Sequence, residues 1–463
     1  MIQQCNKNTS KISPTIKGKL VDQVAFCMRD ISDMLIHAVI TFDGRIDYAI
    51  MKKAFRLCFD AEPITGCRLV TNDSQFYWKI REDLDEIAAC FIKETNDIEF
   101  DINKFLTASI DPHNDSQVQA LILRAENDTL CIKINHCIAD AGGVKEYIYL
   151  LADVYSRLLE DNNYSPKLNI RGDRSLRQVA NQFNFFEKLK IIRRSLRNLK
   201  SDSFYLLHSI RIMLQLKNKK YSHYRYWSLP LSNQDNLDRK ILIYHIPKDQ
   251  FCFLKSYGKR YNATVNDVIL TAFYRAFFDI IKPDPNEPLH ILTTADLRRY
   301  LPGNKGGAIC NLSGFVHVNI GRNLGKDFEH TLIKAKNCMD SYKADYLGLG
   351  DFPSFVLFKL LPFKWFQKVI SFALKSMMVD EKTVIPVLTN MGIIYLQPDS
   401  FKGSTIKDIF LTPPVMFPPI LGIGITGFKE FITISVGICG SKKNSSIIKN
   451  LFDKVVDQLP LSV

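Results

Sequence analysis

This 463-residue sequence lacks the features that mark secreted, membrane-spanning and zinc-binding proteins. Its 11 cysteines are scattered without a Cys-x-x-Cys pair, which argues against a metal site or a disulfide framework and for a reducing compartment. No stretch reaches the run of about 18 uncharged apolar residues that a membrane-spanning helix needs. Residues 1–19 are polar, have no apolar run fit for a signal peptide, and predict a flexible N-terminus. We therefore expect a cytoplasmic protein that holds no metal.

The segment Ile134–Gly143 joins a strand pattern to a helix pattern and carries two chemically useful side chains. Upstream of it, alternating apolar residues from Thr129 to His136 predict a half-buried strand. Downstream, apolar residues recur at helical spacing from Val144. Asp140 and two glycines fall in the turn between, where glycine permits the close approach of a ligand. The pattern predicts that His136 projects from the end of the strand.

His136 in that position suits general-base catalysis, because a partly shielded imidazole can accept a proton near neutral pH. Most histidines at strand ends are nevertheless ordinary core or surface residues. Asp140, directly before a helix, is most simply an N-cap. Cys137 is not expected to be a nucleophile, because neighbouring residues on an extended chain point to opposite faces. The segment alone leaves a catalytic role and a structural role both open.

Asn135–Gly142 resembles the HHxxxDG motif of the chloramphenicol acetyltransferase-like superfamily. That group includes CoA-dependent acyltransferases, alcohol O-acetyltransferases, wax ester synthases and condensation domains of nonribosomal peptide synthetases. His136 matches the second, catalytic histidine, and Asp140 matches the aspartate. Asn135 stands at the first histidine, and Ala141 stands at the glycine, with Gly142 directly after it. The resemblance leaves open whether Gly142 takes the place of the motif glycine in the turn.

Other segments resemble further motifs of the family, in the family's order, over roughly residues 20 to 460. They are Leu35–Phe42, Gly44–Asp47, Tyr48–Phe59 and Pro63–Arg68 at the start, Thr264–Leu270 as a TxNDVxL helix start, Asp296–Pro302 as a DLR segment, Gly307–Asn311 with Leu312–Gly314 as a GNxxG crossover, and Thr389–Gly392 as an SN-x-G strand turn. The DFGWG motif of plant members is absent, so the chain is not placed in that branch.

The resemblance implies an α/β (α+β) fold in which two chloramphenicol acetyltransferase-like mixed-sheet sandwich domains form a V with a central channel. A chain of this length is long for one core, which agrees with two domains. The predicted regions are a flexible N-terminus at 1–19, a domain with the HxxxD motif at 20–170, a basic amphipathic helical linker at 171–225, and a second domain at 226–463. In the second domain the pattern predicts strands at Ile241–Ile246, Leu289–Thr294 and Phe315–Ile320, and a helix from a Thr264–Asp267 capping box to about Ile280.

The family's mechanism implies acyl transfer, in which His136 deprotonates a hydroxyl or amine that attacks an acyl thioester directly. Acyl-CoA or acyl-phosphopantetheine is then a co-substrate, and no cofactor is bound permanently. Asp140 is expected to be structural, and Arg298 is the best candidate for its partner. The remaining candidates lie in segments that line the family's channel, as substrate or oxyanion contacts, although such residues are also common turn formers. They are Asn311, Ser313, Asn390 and Gly392.

Two segments raise the question of surface contacts. The net charge of +13 is concentrated in residues 171–220, where 13 Lys and Arg stand against three Asp and Glu. A solvated face is the simplest interpretation; the alternatives are an anionic membrane surface, an acidic carrier protein or the phosphates of CoA. No nucleic-acid motif accompanies the charge, so nucleic acid is not expected as a partner. Residues 355–378 combine aromatics with spaced lysines and predict a core helix broken or kinked at Pro362, or an interfacial or acyl-chain-lining helix.

Three functions are compatible with these observations. The first is a CoA-thioester-dependent O-acyltransferase acting on an alcohol, with lipid-like alcohols included. The second is a condensation-type enzyme that makes amides from carrier-bound thioesters; the lack of an attached carrier domain speaks mildly against it. The third is a noncatalytic protein that binds a lipid surface or a partner on the same scaffold, in line with the departures at Asn135 and Ala141.

Overall fold

The computed structural model describes residues 15–200, 229–231, 238–283, 289–350, 361–379, 386–418, 420–440 and 442–460. Within them the chain forms 15 strands in three sheets and 11 helices. Parts of three predicted regions lie outside the described residues. They are residues 1–14 of the N-terminal tail, 201–225 of the linker and 355–360 of the aromatic segment.

The first sheet has five strands in the order β12-β2-β7-β6-β5. Their bounds are Leu35–Asp43 for β2, Cys90–Glu94 for β5, Val118–Arg124 for β6, Asp128–Asn135 for β7 and Thr405–Thr412 for β12. Strand β7 is buried along its whole length, not half-buried as the alternation predicts. The polar face is covered as well, because Lys133 donates from its ammonium to the carbonyls of Phe105 and Ala108.

Helices and a small sheet complete the first half of the molecule. The helices are α1 (Leu20–Cys27), α2 (Tyr48–Ala61), α3 (Ile98–Leu106) and α4 (Ala141–Glu160). The small sheet joins β1 (Thr15–Lys17), β4 (Phe76–Lys79) and β3 (Arg68–Thr71). Residues 15–17 belong to the tail that the sequence predicts to be flexible, but they pair with β4. Helices α2 and α4 lie together, with an edge-to-face contact between Phe55 and Tyr147.

The second sheet has seven strands, in the order β10-β9-β11-β14-β15-β13 with β8 paired to β15. Their bounds are Arg239–Ile246 for β8, His290–Asp296 for β9, Ser313–Asn319 for β10, Val387–Ile394 for β11, Val415–Met416 for β13, Gly422–Phe428 for β14 and Phe431–Cys439 for β15. The helices of this half are α7 (Lys248–Arg260), α8 (Val265–Ile281), α9 (Phe328–Lys343) and α11 (Lys442–Gln458). The predicted capping box is present: Thr264 Oγ1 accepts from Asp267 N–H at 3.2 Å, and Asp267 Oδ2 accepts from Thr264 N–H at 2.8 Å.

Two segments that follow residue 226, the predicted start of the second domain, pack against the first half. Strand β12 pairs antiparallel with β2 of the first sheet. The helix α10 (Phe363–Val379) also packs on the first half, where Phe363 contacts Phe26 and Phe76. Pairing between segments more than 300 residues apart leaves no local signal in the sequence, so the periodicity that identified the strands could not assign them to a sheet.

Two linker helices follow the first half, α5 (Arg177–Ala180) and α6 (Phe185–Lys200). Helix α6 buries Ile191 in a cluster with Leu297 and Leu349, but leaves Phe185 and Phe186 exposed at 69% and 74%. Helix α10 starts directly after Pro362, buries Phe366 and exposes Trp365. None of the helices in the described ranges has the length and apolar character that crossing a membrane requires.

Candidate active site

His136 lies in a tight turn directly after β7. The strand ends at Asn135, one residue before the predicted end, and Ile138 N–H donates back to the Asn135 carbonyl at 3.0 Å. The His136 amide donates to the Met34 carbonyl at 2.8 Å, which ties the turn to the first half. Within Cys131–Asp140, His136 is the one residue that is not buried. His136 is therefore the residue of this stretch that keeps partial access to solvent.

The two ring nitrogens of His136 have different roles. Nδ1 lies 2.9 Å from the Ala139 carbonyl oxygen. Because a carbonyl oxygen can only accept, Nδ1 must carry the hydrogen in the neutral ring. Nε2 then holds the lone pair, which is the form a general base requires.

The protonation state of His136 follows from its surroundings. Burial lowers the pKa of the imidazole, and the Ala139 carbonyl and the charge of Asp140 offset that effect only in part. The ring is therefore neutral at neutral pH and able to accept a proton. Asp140 makes no contact with Nδ1 of the ring, because that position is taken by Ala139.

Asn135 and Cys137 shape the turn. Asn135, at the place of the motif's first histidine, donates from Nδ2 to Gln117 Oε1 at 2.9 Å and accepts at Oδ1 from Cys137 N–H at 2.9 Å. The departure at this position thus supplies a buried anchor for the loop. Cys137 is itself buried, and burial raises the pKa of its thiol. A protonated, enclosed thiol agrees with the prediction that Cys137 is not the nucleophile.

The glycines after Asp140 lie in the first turn of α4, not in a turn before it. The helix begins at Ala141 instead of the predicted Val144, with Asp140 as its N-cap: Oδ1 accepts from Gly143 N–H at 2.8 Å. Neither glycine has a positive φ, so their role is to leave space. A Cβ on Gly142 would collide with the guanidinium of Arg298, and a Cβ on Gly143 would lie 2.8 Å from the Cys310 carbonyl oxygen. Ala141 precedes both close approaches and fits the helix start.

Arg298 is the centre of a buried ion-pair cluster that joins the two halves. Its Nη1 lies 2.9 Å from Asp140 Oδ1, which is the pair expected from the family resemblance. The same side chain contacts Glu146 at 3.0 Å and Asp296 at 3.3 Å, and donates to the Cys310 carbonyl at 2.8 Å. Burial alone would raise the pKa of Asp140, but the charge of Arg298 and the donors of Gly143, Ser313 and Leu312 hold it below its ordinary value. Asp140 is thus a charged structural anchor.

Asn311 and Ser313, two of the predicted oxyanion donors, hold the His136 loop instead. Asn311 Nδ2 donates to the carbonyls of His136 and Cys137, at 2.9 and 3.2 Å, and both amide hydrogens are thereby used. The Ser313 hydroxyl donates to Asp140 Oδ2 at 2.8 Å. Both side chains reach the loop from the second half. Neither has a hydrogen left for a substrate oxyanion, and the sequence could not show this because an amide or hydroxyl orientation depends on partners far along the chain.

Asn390 and Gly392 lie on β11, at a bulge in its pairing with β14. Asn390 Nδ2 donates to Asn266 Oδ1 at 2.9 Å, and its Oδ1 accepts from Gly392 N–H at 2.8 Å. Gly392 has a φ of 77° and faces the ammonium of Lys145 on α4. Of the three predicted donors, Asn390 is the one that keeps an uncommitted amide hydrogen.

Three residues of this region were missed by the sequence reasoning. Arg174 is buried, binds Asp22 at 3.0 Å, and donates to the carbonyls of Ile138 and Ile309. It falls within the basic run at 171–220, where nothing local separates one buried arginine from its solvated neighbours. Glu146 and Lys145 are the other two, and both lie one turn beyond Asp140 on α4.

Two further features bear on ligands. Within the described ranges, no group of three or more His, Cys, Asp or Glu side chains is placed to hold a metal ion. A polar cavity of about 330 Å³ lies beside Arg174 and is lined by Lys19, Glu62 and Arg171 among others. His136 does not line it, so this cavity is separate from the imidazole.

Comparisons with known proteins identify the fold. No protein-family model matches the sequence, and no curated protein is significantly similar to it. Among solved structures, trichothecene 15-O-acetyltransferase from Fusarium sporotrichioides superposes with a TM-score of 0.65 at 11% identity, covering 98% of this chain and 97% of that chain. The first condensation domain of the CDA synthetase gives a TM-score of 0.62 at 13% identity, with 97% and 98% covered. The chain has the chloramphenicol acetyltransferase-like fold.

A third solved structure superposes on the chain over a similar length. Polyketide synthase associated protein 5 from Mycobacterium tuberculosis matches with a TM-score of 0.61 at 13% identity, covering 95% of this chain and 96% of that chain. These superpositions span nearly the whole of each chain, so the likeness includes both mixed-sheet domains. The predicted α/β (α+β) class is confirmed. At these identities the likeness concerns the fold alone.

Proposed function

We propose that the protein is an acyltransferase that moves an acyl group from a thioester, with acyl-CoA as the donor, to the hydroxyl of an alcohol. The observation that carries this proposal is the state of His136: a neutral imidazole, fixed at Nδ1 by Ala139, with Nε2 unprotonated at a solvent-facing turn. The fold supports it, because the solved structures that superpose on the chain include an O-acetyltransferase and a condensation domain.

In the proposed reaction, His136 Nε2 takes the proton of the acceptor hydroxyl as its oxygen attacks the thioester carbonyl. The carbonyl oxygen becomes an oxyanion in a tetrahedral intermediate. Its collapse breaks the C–S bond, and the departing thiolate receives the proton from His136, which leaves an ester and a free thiol. General-base assistance contributes roughly 10²–10⁴ to the rate, and holding both substrates in one site contributes much of the remainder.

The residues around His136 position it and take no part in proton transfer. Arg298, Asn311 and Ser313 reach the loop from the second half, and Arg174 braces it at Ile138. Asp140 is bound by Arg298 and Ser313, by a backbone amide of the second half and by the first turn of α4. The distinction matters for experiments, because loss of His136 should remove chemistry and loss of Asp140 should remove structure.

Thiol release tests the proposal. Purified protein is mixed with acetyl-, octanoyl- or palmitoyl-CoA and a panel of short and long alcohols, and free thiol is followed with a chromogenic disulfide. We expect acceptor-dependent release from the wild type and none above background from His136→Ala, which should still unfold cooperatively within about a few degrees of the wild-type melting temperature. The matched control is His113→Ala, because the exposed His113 ring also bonds a carbonyl through Nδ1, at 3.0 Å from Leu69 O. A fully active His136→Ala variant would remove His136 from the role of base.

The condensation-type alternative is separated by the donor and the acceptor. If an amine acceptor and an acyl group on a phosphopantetheinylated carrier protein give release, while the acyl-CoA donors with alcohols do not, the protein makes amides from carrier-bound thioesters. The noncatalytic alternative predicts no release with any donor.

A peripheral membrane contact is the second proposal, and the exposed face of α6 supports it. Phe185, Phe186, Leu189 and Ile192 are 43–74% exposed on one side of the helix, next to the exposed cations Lys188, Lys190 and Arg193. Apolar side chains flanked by bases match an anionic bilayer surface. In a flotation assay with phosphatidylserine vesicles, the wild type should float and the double variant Phe185→Ser/Phe186→Ser should not. The control is Phe431→Ser, on a strand of the second sheet, which should float like the wild type. Equal flotation of all three proteins would end this proposal; the cytoplasmic location itself stays a prediction.

A further inference from the structure

Lys145 is a cation beside the active-site loop that has no carboxylate partner of its own. It lies one turn into α4 beyond Asp140 and is partly buried. The three neighbouring carboxylates, Asp140, Glu146 and Asp296, are bound instead by Arg298, at 2.9, 3.0 and 3.3 Å. Among the described residues, no ion pair within the 4.0 Å limit involves Lys145. The ammonium of Lys145 therefore forms no ion pair with the carboxylates of the cluster that holds the loop.

The ammonium of Lys145 crosses from the first half to the second. Nζ lies 3.0 Å from the point that a Cβ would occupy on Gly392, and the φ of 77° at that residue also favours glycine. Because Gly392 lies on β11 of the second sheet, the lysine spans the space between the two halves. Among the described residues Nζ has no hydrogen-bond partner, and the atom is not fully enclosed, so it keeps access to solvent. The cation therefore reaches solvent where α4 and β11 approach each other.

The proposed acyl transfer needs a donor for the tetrahedral oxyanion. Asn311 and Ser313 have no hydrogen left for it, since their donors are bound to the loop and to Asp140. Asn390 keeps one amide hydrogen, but that side chain is exposed and is held by Asn266 and Gly392. Lys145 faces the same Gly392 with a full positive charge and three N–H hydrogens.

We propose that the Lys145 ammonium donates to the oxyanion that forms when the acceptor attacks the thioester, so that Lys145 stabilises the transition state while His136 moves the proton. This inference rests on the proposed function. The lysine takes no proton in the reaction: it donates a charge-assisted hydrogen bond to the former carbonyl oxygen, which returns to a carbonyl as the thiolate leaves. The partial burial that lowers the pKa of Lys145 also keeps the surrounding dielectric low, which strengthens that bond.

The alternative role of Lys145 is structural. Arg298 alone faces three carboxylates, and a second cation nearby balances the charge of the cluster. Removal of a merely balancing lysine would lower the stability and weaken all ligands alike. Removal of an oxyanion donor would weaken specifically the ligands that carry the tetrahedral charge.

Two CoA thioethers separate these roles without turnover. One carries a trifluoromethyl ketone, which hydrates to a tetrahedral, readily ionised gem-diol; the other carries the matching methyl ketone, which stays planar. Isothermal titration gives the ratio of their dissociation constants for the wild type, Lys145→Met and Lys145→Arg. The matched control is Arg157→Met, because Arg157 lies on the outer surface of the same helix with its side chain 55% exposed.

We expect Lys145→Met to reduce the preference for the trifluoromethyl ketone by about 10²–10³-fold, the usual effect of removing one oxyanion donor, at an unchanged melting temperature. Lys145→Arg should keep part of the preference, and Arg157→Met should keep all of it. The intrinsic hydration of the ketone cancels, because the same pair of compounds is compared across variants.

Three results would overturn the inference. If Lys145→Met keeps the wild-type preference, the lysine is not the donor, and the proposed function stands unaffected. If Asn390→Ala removes the preference and Lys145→Met does not, the donor is the amide. If the wild type binds neither ketone, the CoA donor of the proposed function fails, and the role of Lys145 fails with it.

Discussion

Replacing Arg298 with methionine should destabilise the protein far more than any change at His136. Arg298 is 2% exposed and its partner Asp140 is equally buried. Methionine fills a similar length of chain but leaves Asp140 charged, with its contact to Arg298 Nη1 at 2.9 Å removed. Breaking a buried ion pair from one side costs about 3–5 kcal/mol. His136→Ala removes one hydrogen bond from a partly exposed ring and should cost about 1 kcal/mol.

The pH dependence of the Arg298→Met effect gives an independent measure of its cause. Burial would raise the pKa of Asp140, but Arg298 and neighbouring N–H and O–H donors hold it below the ordinary 3.8. A carboxyl with a depressed folded-state pKa stabilises the fold above its unfolded pKa, and this contribution disappears as the pH falls through the folded value. In the variant the depression by Arg298 is gone. Because the unfolded state titrates alike in both proteins, the difference in unfolding free energy should be largest at neutral pH. It should shrink as the pH falls from the higher folded-state pKa of Asp140 in the variant towards its depressed value in the wild type.

Urea unfolding followed by tryptophan fluorescence, with the melting temperature as a second probe, measures both quantities. Arg157→Met is the control, because Arg157 pairs with Asp153 at the same 2.9 Å, but with side chains 55% and 52% exposed. Exposed pairs contribute about 0.2–1 kcal/mol. The reasoning is refuted if Arg298→Met costs no more than Arg157→Met, or if its cost does not depend on pH.

Other changes test the remaining parts of the site. Gly142→Ala should lower the free energy of unfolding by about 1–3 kcal/mol, the usual range for overpacking, because its Cβ would meet the Arg298 guanidinium. The control is Ala141→Gly, which should lower it by about 1 kcal/mol. If urea unfolding gives Gly142→Ala no larger a loss than Ala141→Gly, the packing argument is wrong. The wild-type kcat/KM should rise with pH to a plateau with an apparent pKa below 6.5, since partial burial lowers the pKa of His136 from that value. An apparent pKa above 6.5 would contradict this prediction. Cys137→Ser should remain active, and iodoacetamide should label the exposed Cys252 but not the buried Cys137 in the native protein, as mass spectrometry of peptides would show.

The sequence was most informative where structure depends on near neighbours. Strand β7 and helices α4 and α8 follow from alternation, helical spacing and caps, and their bounds differ from the predictions by a few residues at most. The Thr264 box was predicted because both of its hydrogen bonds join residues three positions apart. The fold class and the Asp140–Arg298 pair came from resemblance, which carries long-range information that periodicity does not contain.

What the sequence could not supply depends on groups brought together by the fold. Asn311 and Ser313 had the right chemistry for oxyanion donors, but their hydrogens are directed at the loop and at Asp140, 173 or more residues away along the chain. The burial of Arg174 and the crossing of β12 into the first sheet have the same origin. In each case the sequence shows the residue type, but it does not show which distant residue is the partner.

In the proposed reaction the reacting side chains come from the first half, and the side chains that hold them come from the second half. His136 and Lys145 lie within ten residues of one another on the first half. His136 precedes the N-cap residue Asp140, and Lys145 follows it on α4. The second half contributes Arg298, Asn311 and Ser313, which hold the loop, and Gly392, which leaves room for the ammonium. A shift of one half relative to the other would therefore move the base and the cation together, while changing the space opposite them at Gly392. Substitutions that loosen the interface should accordingly reduce the rate through substrate placement, with the acid limb of the pH profile unchanged as long as the His136–Ala139 contact survives.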